Sequence, residues 1–310
     1  LGPEVDLVCT VYNEGQESME RLLESVVEQE RQPDRAIFVD AGSDDGTQEA
    51  IRKYSEKREW IDLVVEEGCN IAEGRNIGVE GSDAEIIATT DGGCVLDEEW
   101  LKNLLKNFPE ADVSAGVFKP LSDGSRFKEV LGVLECPDPE KLPEDWPPSS
   151  RSQAFRKEAW EEVGGYPEDL YTAEDTEFNR KLKESGAEYR IARDAFVYWE
   201  MRDSLKEVWD QYRLYGKGDA ENNTLKGVLT GNYNSRKMLV ALGLTGMSFT
   251  VLLAVLERLL AVPGLISLVV ILLYRFWELD SVDPIDYIEL MKINYAMRYG
   301  YFVGFARELM

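Results

Sequence analysis

Apolar residues fall in short blocks over the first two thirds of the chain. Segments 5–11, 36–39, 61–65 and 85–90 are rich in Val, Ile, Leu, Ala, Phe, Cys and Thr, with Asp6, Asp62 and Glu85 as their only charged residues, and are bounded by turn residues. Blocks of this length predict strands buried on both faces. Between them the apolar period changes. Met19, Leu22, Leu23, Val26 and Val27 recur at i, i+3 and i+4, which predicts a core-facing helix with Ser18 as its N-cap. A second helix is expected after Asp45-Gly46-Thr47, with Thr47 capping it and Ile51 and Tyr54 inward; a third spans 71–79, and Leu101, Leu104, Leu105 and Phe108 mark a fourth. Further strands are expected near 113–118 and 190–199, and helices from Glu174-Asp175 and over 205–215. Strands alternating with helices predict an α/β fold, a Rossmann-like, mostly parallel sheet with helices on both faces. No G-x-G-x-x-G is present. Segment 120–148 holds six prolines among many charges and reads as an irregular excursion.

Composition changes sharply after residue 237. Residues 238–256 form 19 consecutive uncharged positions, and a second uncharged run covers 259–274. A span needs about 20 apolar residues, so the first run is long enough and Pro263 shortens the second. We expect a transmembrane helical hairpin over 238–277, with a buried hairpin in a soluble domain as the alternative. Lys226, Arg236 and Lys237 precede the first run, which places the N-terminal domain on the cytoplasmic face of the cell membrane. The tail, 278–310, carries aromatic and Met residues among charges. It is expected either as an amphipathic interfacial helix or packed on the N-terminal domain. The expected organisation is an α/β domain over 1–200, a juxtamembrane segment over 201–237, the hairpin, and the tail.

The net charge of −25 with no histidine excludes His-based triads and His metal sites and offers no basic footprint for nucleic acid. An acidic surface this large fits a protein adapted to high salt, with an ordinary acidic protein as the alternative. The four cysteines are scattered without C-x-x-C spacing, so zinc and redox motifs are not expected, and a reduced, cytoplasmic compartment fits.

Carboxylates therefore carry any acid–base or metal chemistry. Asp91-Gly92-Gly93 ends the 85–90 run, and ligands of open α/β sheets sit beyond the carboxyl ends of strands. Asp91 there suits Mg²⁺ or Mn²⁺ holding a diphosphate, although Asp-Gly is also an ordinary turn. Asp40 ends another run and could accept from a base N–H or a ribose hydroxyl, with Gly42, Ser43 and Gly46 letting backbone approach a ligand. Tyr12 could stack on a base and Thr10 could hydrogen-bond it; strand end and turn is the plainer reading. Arg75, in Gly74-Arg75-Asn76, suits phosphate or is a surface arginine. Glu174-Asp175 either caps a helix or supplies a general base. Arg213 and Lys217, in a Gly-punctuated segment, could meet a diphosphate or a lipid phosphate.

In order, these segments resemble the inverting family 2 glycosyltransferases of the GT-A fold. Thr10-Val11-Tyr12-Asn13-Glu14 is similar to T-x-Y-N-E, residues 39–47 to V-D-D-G-S-x-D-G-T, Gly74-Arg75-Asn76-Ile77-Gly78 to A-R-N-x-G, Asp91-Gly92-Gly93 to D-x-D, Ala173-Glu174-Asp175 to the E-D base motif, and 213–218 to a basic segment of membrane-attached members. The resemblance implies that Thr10, Tyr12, Glu14, Asp40, Ser43 and Arg75 hold a nucleotide-sugar donor, that Asp91 binds the metal, and that Asp175, with Glu174, activates the acceptor. That acceptor would be a polyprenyl or dolichyl phosphate or a lipid-linked glycan. Gly93 replaces the second Asp of D-x-D and Ala41 an Asp of D-D-G-S. No Q-x-x-R-W occurs, which favours transfer of single sugars over processive synthesis. A sugar nucleotidyltransferase and a non-catalytic nucleotide-sugar-binding scaffold are the competing readings.

Overall fold

The computed structural model describes residues 2–121, 123–143, 146, 148–170, 172–221 and 287–308. They divide into two compact units. The first comprises 1–123 and 135–201, and the second 124–134 and 202–310.

The first unit is built on an eight-stranded sheet. Its strands are β1 (Val5–Val11), β2 (Arg35–Asp40), β3 (Ile61–Val65), β4 (Ile86–Asp91), β5 (Cys94–Leu96), β6 (Val113–Pro120), β7 (Gln153–Arg156) and β8 (Tyr189–Trp199), in the order β3-β2-β1-β4-β7-β6-β8-β5. The first four pair in parallel, whereas β7 runs antiparallel to β4 and β6, and β5 antiparallel to β8. The sheet is thus mixed. The parallel half is where the apolar runs are longest, because those strands are covered on both faces.

Successive residues of β1 show why. Leu7 and Cys9 point into one core with Met19, Leu22 and Val26 of α1 (Gln16–Val27), Ile51 of α2 (Thr47–Ser55), and Trp100 and Leu104 of α4 (Trp100–Leu105). Val8 points into a second core with Ala72 and Val79 of α3 (Ile71–Glu80) and Phe178 and Leu182 of α7 (Glu174–Ser185). α3 lies close on the sheet through two glycines one turn apart. A Cβ on Gly78 would stand 2.4 Å from Val8 Cγ1, and one on Gly74 2.8 Å from Thr10 Cγ2.

Three local expectations are corrected. α1 starts at Gln16, after Gly15 turns the chain at φ 78°, so Ser18 lies inside the helix and its hydroxyl donates to Glu200. Thr47 does not cap α2; Asp45 does so in effect, accepting from the Thr47 N–H and hydroxyl. The proline-rich excursion contains α5 (Arg126–Glu135) and a 3₁₀ turn at Pro139–Lys141, with Val130 and Leu131 buried. α6 (Lys157–Val163) completes the helices of the first unit.

The second unit contains α5, but for its last residue, together with α8 (Leu205–Glu221) and α9 (Tyr287–Glu308). α8 and α9 touch backbone to backbone. A Cβ on Gly216 would stand 2.0 Å from the Tyr301 carbonyl oxygen, and one on Gly304 1.8 Å from that of Arg213. The tail is therefore helical, with Ile293, Met297 and Tyr301 buried and Tyr295 and Tyr299 exposed. Among the described residues no helix is long and apolar enough to cross a membrane. The hairpin expected over 238–277 lies outside the described residues.

Candidate active site

Strand register assembles the site. β1 lies between β2 and β4, with Val11 opposite Asp40 and Thr10 opposite Asp91. The residues that end three parallel strands thus form one row at the carboxyl edge, where ligands of such sheets bind. Tyr12 follows the row and is 60% exposed, a free aromatic face at its rim. The Thr10 hydroxyl is buried and has no hydrogen-bond partner among the described residues. A buried hydroxyl is normally satisfied, so this one fits a donor or acceptor brought by a ligand.

Asp40 is fully buried and saturated by its own loop. Its Oδ1 accepts from the N–H groups of Gly42 and Ser43 and from Gln48 Nε2, at 2.9, 2.8 and 2.6 Å; Oδ2 accepts from the Ser43 hydroxyl. The Ser43 hydroxyl in turn accepts from the Asn13 N–H at 2.8 Å. Glu14 N–H donates to Thr47 Oγ1 and Gly15 N–H to Asp45. Asp40 and Ser43 are thereby organisers that lock the Tyr12–Gly15 turn onto the 40–47 loop. Gly42, with φ at 97°, makes the turn possible.

Arg75 differs most from expectation. It is neither on the surface nor placed to offer its fork to a phosphate. Only 2% exposed, it spends one terminal nitrogen on Asp91 Oδ1 at 2.6 Å and the other on Glu174 Oε1. The close seating of α3, through Gly74 and Gly78, is what sinks it. Burial opposes its charge, but Asp91 and Glu174 hold the guanidinium above its ordinary pKa. Glu174 is itself buried, and burial raises its carboxyl above the ordinary value against the pull of Arg75. Glu174 therefore does not face an acceptor; it ties the start of α7 to Asp91. Its neighbour Asp175 is half-buried and accepts from the Ser149 hydroxyl at 3.3 Å, which leaves it the carboxylate of the pair that reaches solvent. Ala173, at φ 65°, turns the chain into α7. Tyr166 stacks on Phe178 at 4.0 Å, lies under Arg75, and meets Ser150 through its hydroxyl.

Sequence reasoning missed Arg151. Its Nε stands 3.7 Å from Asp91 Oδ2, and its guanidinium lies over Trp199 and Phe118, 3.8 and 4.9 Å from the ring centroids. The available signal was Ser149-Ser150-Arg151, polar residues directly before a buried strand.

For a divalent cation the donor set is short. Asp91 is one carboxylate, and Gly93 supplies none. Glu14 packs over this turn: a Cβ on Gly92 would stand 2.2 Å from its Oε1 and one on Gly93 3.6 Å from its Oε2. Among the described residues no group of three or more His, Cys, Asp or Glu could hold a metal ion. Mg²⁺ is commonly held by one or two carboxylates plus substrate phosphates and water, and Asp91 fits that role. Arg213 and Lys217 belong to the second unit, on α8, where Arg213 lies 4.0 Å from Asp210. The glycine between them, Gly216, serves contact with α9.

The row of strand ends, with a carboxylate pair opening the helix opposite, lies at the carboxyl edge of a GT-A-like α/β sheet. The profile of glycosyl transferase family 2 matches residues 6–160, and the chain belongs to this family; it is a glycosyltransferase. It is similar to glycosyltransferase AglE of Haloferax volcanii, with 25% identity over 228 residues, 71% of this chain and 74% of that one. In fold it resembles the mannosyltransferase PcManGT of Pyrobaculum calidifontis, solved in complex with GDP-Man and Mn²⁺. That likeness has a TM-score of 0.66 and 19% identity and covers 96% of this chain and 88% of that one. TarS 1–349 of S. aureus, solved in complex with UDP, is more distant, with a TM-score of 0.50 and 20% identity over 69% of this chain and 64% of that one.

Proposed function

We propose that the protein transfers a single sugar, with inversion, from a UDP- or GDP-linked donor to a lipid-borne acceptor at the cytoplasmic face of a membrane. The observation that carries the catalytic part is the Asp91–Arg75–Glu174 bridge. It joins Asp91, at the strand end suited to the donor, to the helix start bearing Asp175, which supports a single cluster of metal-ligand and base candidates. The membrane part rests on the apolar runs 238–256 and 259–274. GDP-Man and Mn²⁺ in PcManGT support a nucleotide-sugar donor and a divalent cation.

In this reading Tyr12 stacks on the base and the Thr10 hydroxyl meets it. Asp175 takes the proton from an acceptor hydroxyl as that oxygen bonds the anomeric carbon. The bond from this carbon to the β-phosphate oxygen breaks, and its electron pair leaves with the nucleoside diphosphate. An acceptor phosphate, already an anion, would need no base. Mg²⁺ or Mn²⁺ held by Asp91 would supply a Lewis acid for the diphosphate charge. A general base contributes about 10²- to 10⁴-fold. Asp175→Asn is accordingly expected to cut transfer to a hydroxyl acceptor by that factor while UDP or GDP binding, read by calorimetry, stays intact. Full turnover in the variant would remove Asp175 from the mechanism.

A further inference from the structure

Resting on the transferase reading, we propose that Arg151 grips the diphosphate of the donor, as a fixed cation built into the protein beside the metal ligand. β4 and β7 pair antiparallel with Thr89 opposite Gln153. Carrying that register on by two residues sets Arg151 opposite Asp91. The Thr90 hydroxyl fastens the turn by donating to the Arg151 carbonyl oxygen at 3.1 Å. The side chain is 15% exposed and lies 3.7 Å from Asp91 through Nε, which puts a guanidinium beside the carboxylate that would hold the cation.

The mounting fixes its orientation. Trp199 covers the guanidinium at 3.8 Å and Phe118 at 4.9 Å, and the two rings meet edge to face. The two rings stand at 89° to each other and brace the guanidinium from two sides. A braced guanidinium loses less freedom on binding than a flexible lysine, and its planar geometry suits phosphate oxygens. Arg75 is committed to the bridge through both its terminal nitrogens. Gly93 adds no carboxylate to this turn; a Cβ there would stand 3.6 Å from Glu14 Oε2 and 3.9 Å from Glu200 Cβ. This site has one carboxylate fewer than D-x-D and one guanidinium on the same residue, so part of the diphosphate charge is answered by protein.

The test uses the full chain and compares wild type with Arg151→Met and Arg151→Lys by calorimetry. The probes are UDP and GDP in Mn²⁺, with uridine and guanosine as controls lacking phosphate. Arg151→Met is expected to weaken binding of the diphosphate at least about tenfold, the loss of one charged hydrogen bond, and to leave nucleoside binding unchanged. Arg151→Lys, which keeps stem and charge, should fall between and guards against a simple folding defect. Equal diphosphate affinity in wild type and Arg151→Met overturns the inference alone, as does a parallel loss of nucleoside binding in both variants. Failure of wild type to bind either nucleotide overturns the donor site of the transferase reading and this inference with it.

Discussion

Arg75→Met tests whether the Asp91–Arg75–Glu174 bridge holds the site together. Methionine keeps most of the stem volume and removes the charge. Removing one member of a buried ion pair destabilises by about 3–5 kcal/mol, because a charge is left without compensation. Asp91, 22% exposed, can regain water, whereas Glu174, at 8%, cannot. The lower end, about 3 kcal/mol, is therefore expected. The effect should depend on pH. Burial already lifts the Glu174 carboxyl above its ordinary 4.5 while Arg75 pulls it down, so losing Arg75 raises it further. A group raised in the folded state binds its proton more tightly folded than unfolded. Its contribution is fully present below the unfolded value and is lost as pH rises through the folded one. The deficit of Arg75→Met should accordingly be smallest below pH 4.5 and grow towards neutrality. Urea unfolding of wild type, Arg75→Met and Arg75→Met/Glu174→Gln at several pH values measures this. The double variant, with no buried charge at Glu174, should recover much of the loss and flatten its pH dependence. A deficit below about 1 kcal/mol, or one that shrinks as pH rises, would refute the assignment of Glu174 as a buried anion held by Arg75.

Two further substitutions address neighbouring features. Gly92→Ala places a Cβ 2.2 Å from Glu14 Oε1; the flexible side chain must move, so stability should change by no more than about 1 kcal/mol, while nucleotide affinity in calorimetry falls if Glu14 belongs to the donor site. Ala173→Gly relieves a left-handed backbone at φ 65°, and the melting temperature should rise by about 2 °C, read by differential scanning calorimetry.

The parallel half of the sheet was legible because strands buried on both faces are written as continuous apolar runs. β5 and β7, three and four residues long, were not, since pairing partners far along the chain define them. α5 was hidden by the prolines around it. At the site, the strand-end acids Asp40 and Asp91 were found by position alone, and the register places them in one row with Thr10. Arg75 could be identified as chemically important but not as buried, because its second partner, Glu174, lies 99 residues away. Arg151 escaped for a related reason: Trp199, Phe118 and Asp91 meet it only after β4, β6, β7 and β8 have come together.

The Asp40 loop bears on how the protein would meet a nucleotide. Four donors already converge on its carboxylate, and the Tyr12–Gly15 turn is laced to the loop by four more bonds. This surface is ordered by folding itself, so little conformational entropy remains to be lost when a base docks. Association there should behave as rigid docking, fast and with little rearrangement of the loop, and discrimination between bases would arise from fit to a fixed outline.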